Sequence, residues 1–195
     1  MIHSNNSFCT ECYSSGHSTG SCLADILNSP MTLEEAALRT LRILDALEAH
    51  HRLCSLHLDI CPKNIFLTGP DPNDPVVLAP CGHSCAPGHP CPKGYTAPEL
   101  IRSSSDPADF STDLYSVTAV FFHCLMGRRL ALPEALQPKA PNAKQCPTLA
   151  DVSAEVRRDV GKIFRKGLNV LPEKRYRSIG ALRRALTELL EIQPQ

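Results

Sequence analysis

Tryptophan is missing from this 195-residue chain, and aromatic residues of all kinds make up only 5% of it. An excess of either charge is missing too, since 20 Lys and Arg balance 20 Asp and Glu. A formal net charge of zero removes the usual electrostatic case for a nucleic-acid or anionic-membrane partner. The local basic runs KIFRKG and RRAL fall inside helical patterns and read as solvated faces. No apolar run approaches the roughly 18 residues that a membrane span needs. The opening residues, MIHSNNSFCTEC, hold neither a basic region nor an apolar core, so they do not read as a secretory signal. Without an export signal, the ten cysteines read as reduced thiols rather than a disulfide framework. The expected location is therefore cytoplasmic. What remains is ordinary globular stock, 43% hydrophobic and long enough for one domain with at most a small appendage.

Residues 1–30 are rich in Ser, Asn, Gly, His and Cys, and within them SCLADIL has the pattern of one or two helical turns. TLEEAALRTLRILDALEAHH carries the first strong helix signal. Thr32 and Glu35 have capping-box spacing, and Leu33, Ala37, Leu41, Leu44 and Leu47 form one apolar stripe. DLYSVTAVFFHCLMG, ending at Gly127, is apolar on most sides and predicts a helix at the centre of the core. SAEVRRDVGKIFRKGL and IGALRRALTELLEI predict two further amphipathic helices. Between the first two helices lie the β-type runs NIFL and PVVLA, separated by the turn-rich GPDPNDP. Residues 131–148 contain four prolines and read as an irregular connection. The expected fold is mainly α, with a small β-hairpin adjoining loops 57–64 and 80–99.

Those two loops carry the motifs. HLDICPKN, residues 57–64, has the H-x-D-x-x-x-x-N spacing. GYTAPEL follows at 94–100, Asp113 opens the apolar helix signal, and PEKRYRS lies at 172–178. Together, in this order, they resemble the protein kinase superfamily, and most of all its bacterial, eukaryotic-like serine/threonine kinases. The resemblance runs from about Phe8 to about Leu190. It implies an α+β family fold seen here as a C-terminal lobe over 28–195, preceded by a hinge-like remnant over 1–27. It implies Mg-ATP as cofactor and a protein substrate. Asp59 matches the acceptor of the substrate hydroxyl proton, and Asn64 matches a Mg²⁺ ligand. His57 and Asp113 match structural residues, and Glu99 and Arg175 match a structural ion pair.

The same comparison exposes departures. Nothing before residue 8 supplies a Gly-rich loop, an ATP-pairing lysine or its glutamate, so a small N-terminal lobe is expected to be missing. Pro80-Cys81-Gly82 stands where the family has Asp-Phe-Gly, and proline offers no metal ligand. Cys61 stands where the phosphate-facing lysine belongs, with Lys63 two positions beyond as its substitute. Leu58 replaces the arginine that meets a phosphorylated activation segment, whose hydroxyl candidates are Ser84, Tyr95 and Thr96. An uncovered lobe is expected to expose an apolar floor near Leu23, Ile65 and Leu67, open to the missing lobe or to a protein partner.

One stretch fits no motif. PCGHSCAPGHPC, residues 80–91, puts Cys81, His83, Cys85, His89 and Cys91 within reach of one another as zinc ligands, with Cys9 and Cys12 upstream. The spacing matches no common finger, and a set of drifting reduced thiols explains it as well. The function expected from the sequence is thus a kinase-like signalling domain impaired in phosphoryl transfer. Its rivals are a pseudokinase interaction module and a zinc-stabilised binding domain.

Overall fold

The computed structural model describes residues 21–79, 94–101, 107–131 and 146–192. Among them, α1 (Leu23–Ile26) and α2 (Leu33–Arg52) lead into β1 (Ile65–Leu67) and β2 (Val76–Leu78). Then follow α3 (Pro98–Ile101), α4 (Phe110–Met126), α5 (Ala154–Gly167) and α6 (Ile179–Glu191). The described residues are mainly helical with one antiparallel hairpin, as the periodicities predict.

α2 begins where the sequence puts it, with the Thr32 hydroxyl accepting the Glu35 N–H at 3.1 Å. Glu35 does not complete a reciprocal cap. Its carboxylate accepts instead from Arg39 Nε at 3.0 Å, and Arg39 reaches on to the Pro70 carbonyl at 3.0 Å. That buried arginine ties the long helix to the tip of the hairpin. The apolar stripe from Leu33 to Leu47 is buried as predicted.

α4 is the central helix, buried at nearly every position. It starts three residues before Asp113, because Asp109 supplies the cap and Thr112 returns the bond to the Asp109 N–H at 3.1 Å. It stops at Gly127, whose φ of +63° is the left-handed conformation glycine adopts without a Cβ penalty. α2 and α5 pack on α4, and α6 closes against α2 and α5. Phe121 and Phe122 of α4 both meet Phe164 of α5, with ring centroids 5.5 and 5.4 Å apart.

In the hairpin, Ile65 pairs with Leu78 and Leu67 with Val76, and all four face inward. The expectation of an exposed floor at Leu23, Ile65 and Leu67 is wrong, because these are only 1%, 0% and 7% exposed. The reason is local. Cys22 bridges to Phe66 and the Leu67 N–H donates to the Ser21 carbonyl at 2.9 Å, so α1 lies on β1. Exposed apolar side chains occur elsewhere, Leu53, Val77 and Ile101 among them.

Candidate functional site

The loop after α2 is shaped by one buried carboxylate. Asp113, fully buried in the first turn of α4, accepts the His57 N–H at 2.9 Å and the Leu58 N–H at 2.7 Å. Its Oδ2 also meets His51 Nε2, from the last turn of α2, at 2.9 Å. These bonds hold Leu58 at a φ of +60°. A side chain with a Cβ pays about 1–2 kcal/mol for that conformation, and hydrogen bonds to a buried carboxylate are strong enough to offset it.

His57 fixes the other side of the loop. Its Nε2 lies 2.8 Å from the Ala79 carbonyl, which can only accept, and its Nδ1 receives the Asp59 N–H at 3.3 Å. The ring is therefore the neutral tautomer carrying its hydrogen on Nε2. Burial favours the same state by pushing the His57 pKa down. Asp59 is itself buried. Asn64 donates its amide hydrogen to the Asp59 carbonyl at 2.8 Å, which leaves the amide oxygen as the atom a ligand would meet. The Ala79 N–H returns to the Asn64 carbonyl at 2.8 Å, so the end of β2 is pinned beside Asp59 and Asn64.

Between these two residues the loop carries Cys61 and Lys63. Cys61 is buried, and burial, together with the nearby Asp59 charge, pushes its thiol up to about 11. It is a neutral group at neutral pH. Lys63 is exposed at the edge of the loop.

A second cluster lies below. Glu99 on α3 receives two bonds from Arg175, both 2.7 Å, and a third from the Thr112 hydroxyl at 2.9 Å. Arg175 also donates to the Asn169 and Val170 carbonyls and lies over the Tyr115 ring. Burial raises the Glu99 pKa, but the Arg175 bonds outweigh it and hold the carboxyl below its usual range. Nearby, the Tyr95 hydroxyl sits 2.6 Å from His123 Nδ1 on α4.

The fold thus gathers His57, Asp59, Asn64 and Asp113 in one place, and Glu99 with Arg175 in another. Cys81, His83, Cys85, His89 and Cys91, with Pro80, Ser84, Cys9 and Cys12, lie outside the described residues. Sequence reasoning missed His51 and His123. Their partners are 62 and 28 residues away, and no spacing rule connects them.

Residues 2–185 match the profile of the protein kinase domain. The chain belongs to the protein kinase family. A human protein named serine/threonine-protein kinase/endoribonuclease IRE2 is 30% identical over 129 residues, covering 59% of this chain and 14% of that protein. Serine/threonine-protein kinase Pkn1 of Myxococcus xanthus is 30% identical over 161 residues, covering 74% of this chain and 22% of its own length. The chain thus spans under a quarter of either relative.

Protein kinases use Mg-ATP, which the donor atoms of this chain can be tested against. Mg²⁺ takes near-octahedral oxygen ligands, commonly one or two carboxylates plus phosphate oxygens and water. Asn64 offers one amide oxygen, but the residue following Ala79 is Pro80, without a side-chain oxygen. No cluster of three His, Cys, Asp or Glu suited to a metal occurs among the described residues. At position 61 the loop holds a neutral thiol, not a cation. These residues do not fit the family's Mg-ATP arrangement. No helix among the described residues is long and apolar enough to cross a membrane.

Proposed function

We propose that this kinase-family chain is a signalling module, impaired in ATP-dependent phosphoryl transfer, that works by binding a protein segment. The surface is the face where loop 57–64 meets residues 94–99. The observation that carries the reading is Cys61, buried and neutral at the centre of an otherwise closely hydrogen-bonded catalytic-type loop. Pro80 supports it from the sequence. Replacing a metal ligand worth several kcal/mol costs on the order of a thousandfold in rate, since ~1.4 kcal/mol is tenfold. An intracellular setting is supported by the thiols, for Cys22, Cys54, Cys61, Cys124 and Cys146 are all unpaired.

Thermal unfolding with and without Mg-ATP tests the impairment. A site of Kd about 0.1 mM would add roughly 2.7 kcal/mol at 10 mM ATP. That raises Tm by roughly 5–10 °C in a chain of this size. The expected shift is below 1 °C. A magnesium-dependent rise that Asn64→Ala removes, or phosphate incorporation that Asp59→Ala removes, would overturn the reading.

A further inference from the structure

Among the described residues, one hydrogen bond joins residues 94–96 to the rest of the domain. The Tyr95 hydroxyl lies 2.6 Å from His123 Nδ1 on α4, with the two ring centroids 6.0 Å apart. The buried Thr96 hydroxyl has no partner. Gly94, at φ +110°, packs this turn against the end of α4, where a Cβ would lie 2.6 Å from the Leu130 carbonyl oxygen and 3.5 Å from Cβ of Arg129.

The direction of the Tyr95 bond follows from what each group has available. Tyr95 is buried and its hydroxyl has no second acceptor among the described residues, so the O–H points at His123 Nδ1. Nδ1 therefore offers its lone pair, and the hydrogen of the neutral ring sits on Nε2. A proton added to His123 then lands on Nδ1, the atom that accepts the bond. The imidazolium has no lone pair there, and the Tyr95 O–H is left as a buried donor without an acceptor, which is costly.

The charged and titratable groups facing this joint are Arg129 from the turn after α4, Cys61 from loop 57–64 and Cys124 from α4 itself. Burial pushes the Cys61 and Cys124 thiols up to about 11 and about 12, so both are neutral. A guanidinium is a fixed charge. His123 is thus the group at this joint that changes charge near neutral pH. Its burial and the Arg129 charge both oppose the added proton.

We propose that the bond from Tyr95 to His123 is a pH-dependent latch on residues 94–97, closed while His123 is neutral and opened when its Nδ1 takes up a proton. The latch stands apart from what the neighbouring face binds, since it concerns only how this segment is held.

Nuclear magnetic resonance on the full chain provides the test, the His123 ring signals being those that His123→Gln removes. At pH 7.5 the ring nitrogens should show the hydrogen on Nε2 and a bare Nδ1. On acidification His123 should titrate below 6.5, and the ring and amide signals of residues 94–97 should change with the same midpoint. Tyr95→Phe takes away the donor that favours the neutral ring, so His123 should titrate at a higher pH in that variant. The same substitution should raise the unfolding constant about fivefold at pH 7.5. A hydrogen on Nδ1 at pH 7.5, or signals of 94–97 that ignore the His123 titration, overturns the latch. So does an unmoved His123 midpoint in folded Tyr95→Phe; if that variant does not fold, the two measurements on the unaltered chain decide.

Discussion

Replacing Asp113 with alanine removes the acceptor for two buried or half-buried N–H groups, those of His57 and Leu58, and the partner of His51. Each orphaned donor costs about 1–3 kcal/mol, or about 2–6 kcal/mol for the two. Part of this returns, because Leu58 is then released from φ +60°, a strain of about 1–2 kcal/mol. The expected net loss is about 3 kcal/mol, measured by urea unfolding. The cause can be separated from general damage at Leu58 itself. With Asp113 in place, Leu58→Gly should be more stable than Leu58→Ala by about 1 kcal/mol, since only glycine accepts the left-handed backbone freely. In the Asp113→Ala background, glycine should lose that advantage and fall about 0.5–1 kcal/mol below alanine. A loss below about 1 kcal/mol for Asp113→Ala, or a glycine advantage unchanged in that background, refutes the view that this carboxylate sets the shape of the loop.

Three other perturbations follow from the same structure. Glu99→Gln leaves the buried Arg175 without its counter-charge and should cost about 3–5 kcal/mol in urea unfolding; a loss under about 1 kcal/mol would mean solvent reaches the pair. Burial lowers the pKa of His57 and His123 in the folded state, so the unfolded chain takes up protons first as pH falls through about 6.5. Stability should therefore decline from that pH downward, and the lowered Glu99 adds to the loss below 4.5; a flat profile of unfolding free energy between pH 7 and about 5 would contradict this. Tyr95 and Tyr115 are raised by burial, so stability should also fall as pH rises past 10, where the unfolded chain ionises first. Gly167→Ala drives a Cβ into Thr118, with Cγ2 only 2.6 Å away. It should cost about 1–3 kcal/mol, with Thr118→Gly recovering part of it when measured in the double variant.

How much of this was legible beforehand depends on distance along the chain. The caps at Thr32 and Gly127 and the stripe from Leu33 to Leu47 are local signals, and they place α2 and the end of α4 correctly. The start of α4 escaped because Asp109 and Thr112 form a cap without the usual Glu or Gln, while the resemblance drew attention to Asp113. The buried state of Leu23, Ile65 and Leu67 escaped for another reason. Apolar character says that a residue seeks cover, but which element covers it depends on the Cys22–Phe66 bridge, a contact between segments 44 residues apart. Glu99 and Arg175, 76 residues apart, were readable as partners only through the family resemblance.

The loop motif has a physical property that bears on all such readings. His57 holds the end of β2, Asn64 closes the loop onto the Asp59 carbonyl, and Asp113 holds the turn at Leu58. Each of these bonds stabilises the fold whether or not a phosphate ever enters the site. By resemblance, Cys61 and Pro80 stand where the family places groups that face phosphate and metal, and the Cys61 thiol makes none of these three bonds. Selection on stability alone can therefore keep the H-x-D-x-x-x-x-N spacing whether or not the chemistry is kept. The spacing of such a motif therefore reports on the fold, and the proposal of impaired transfer rests on Cys61 and Pro80 rather than on that spacing.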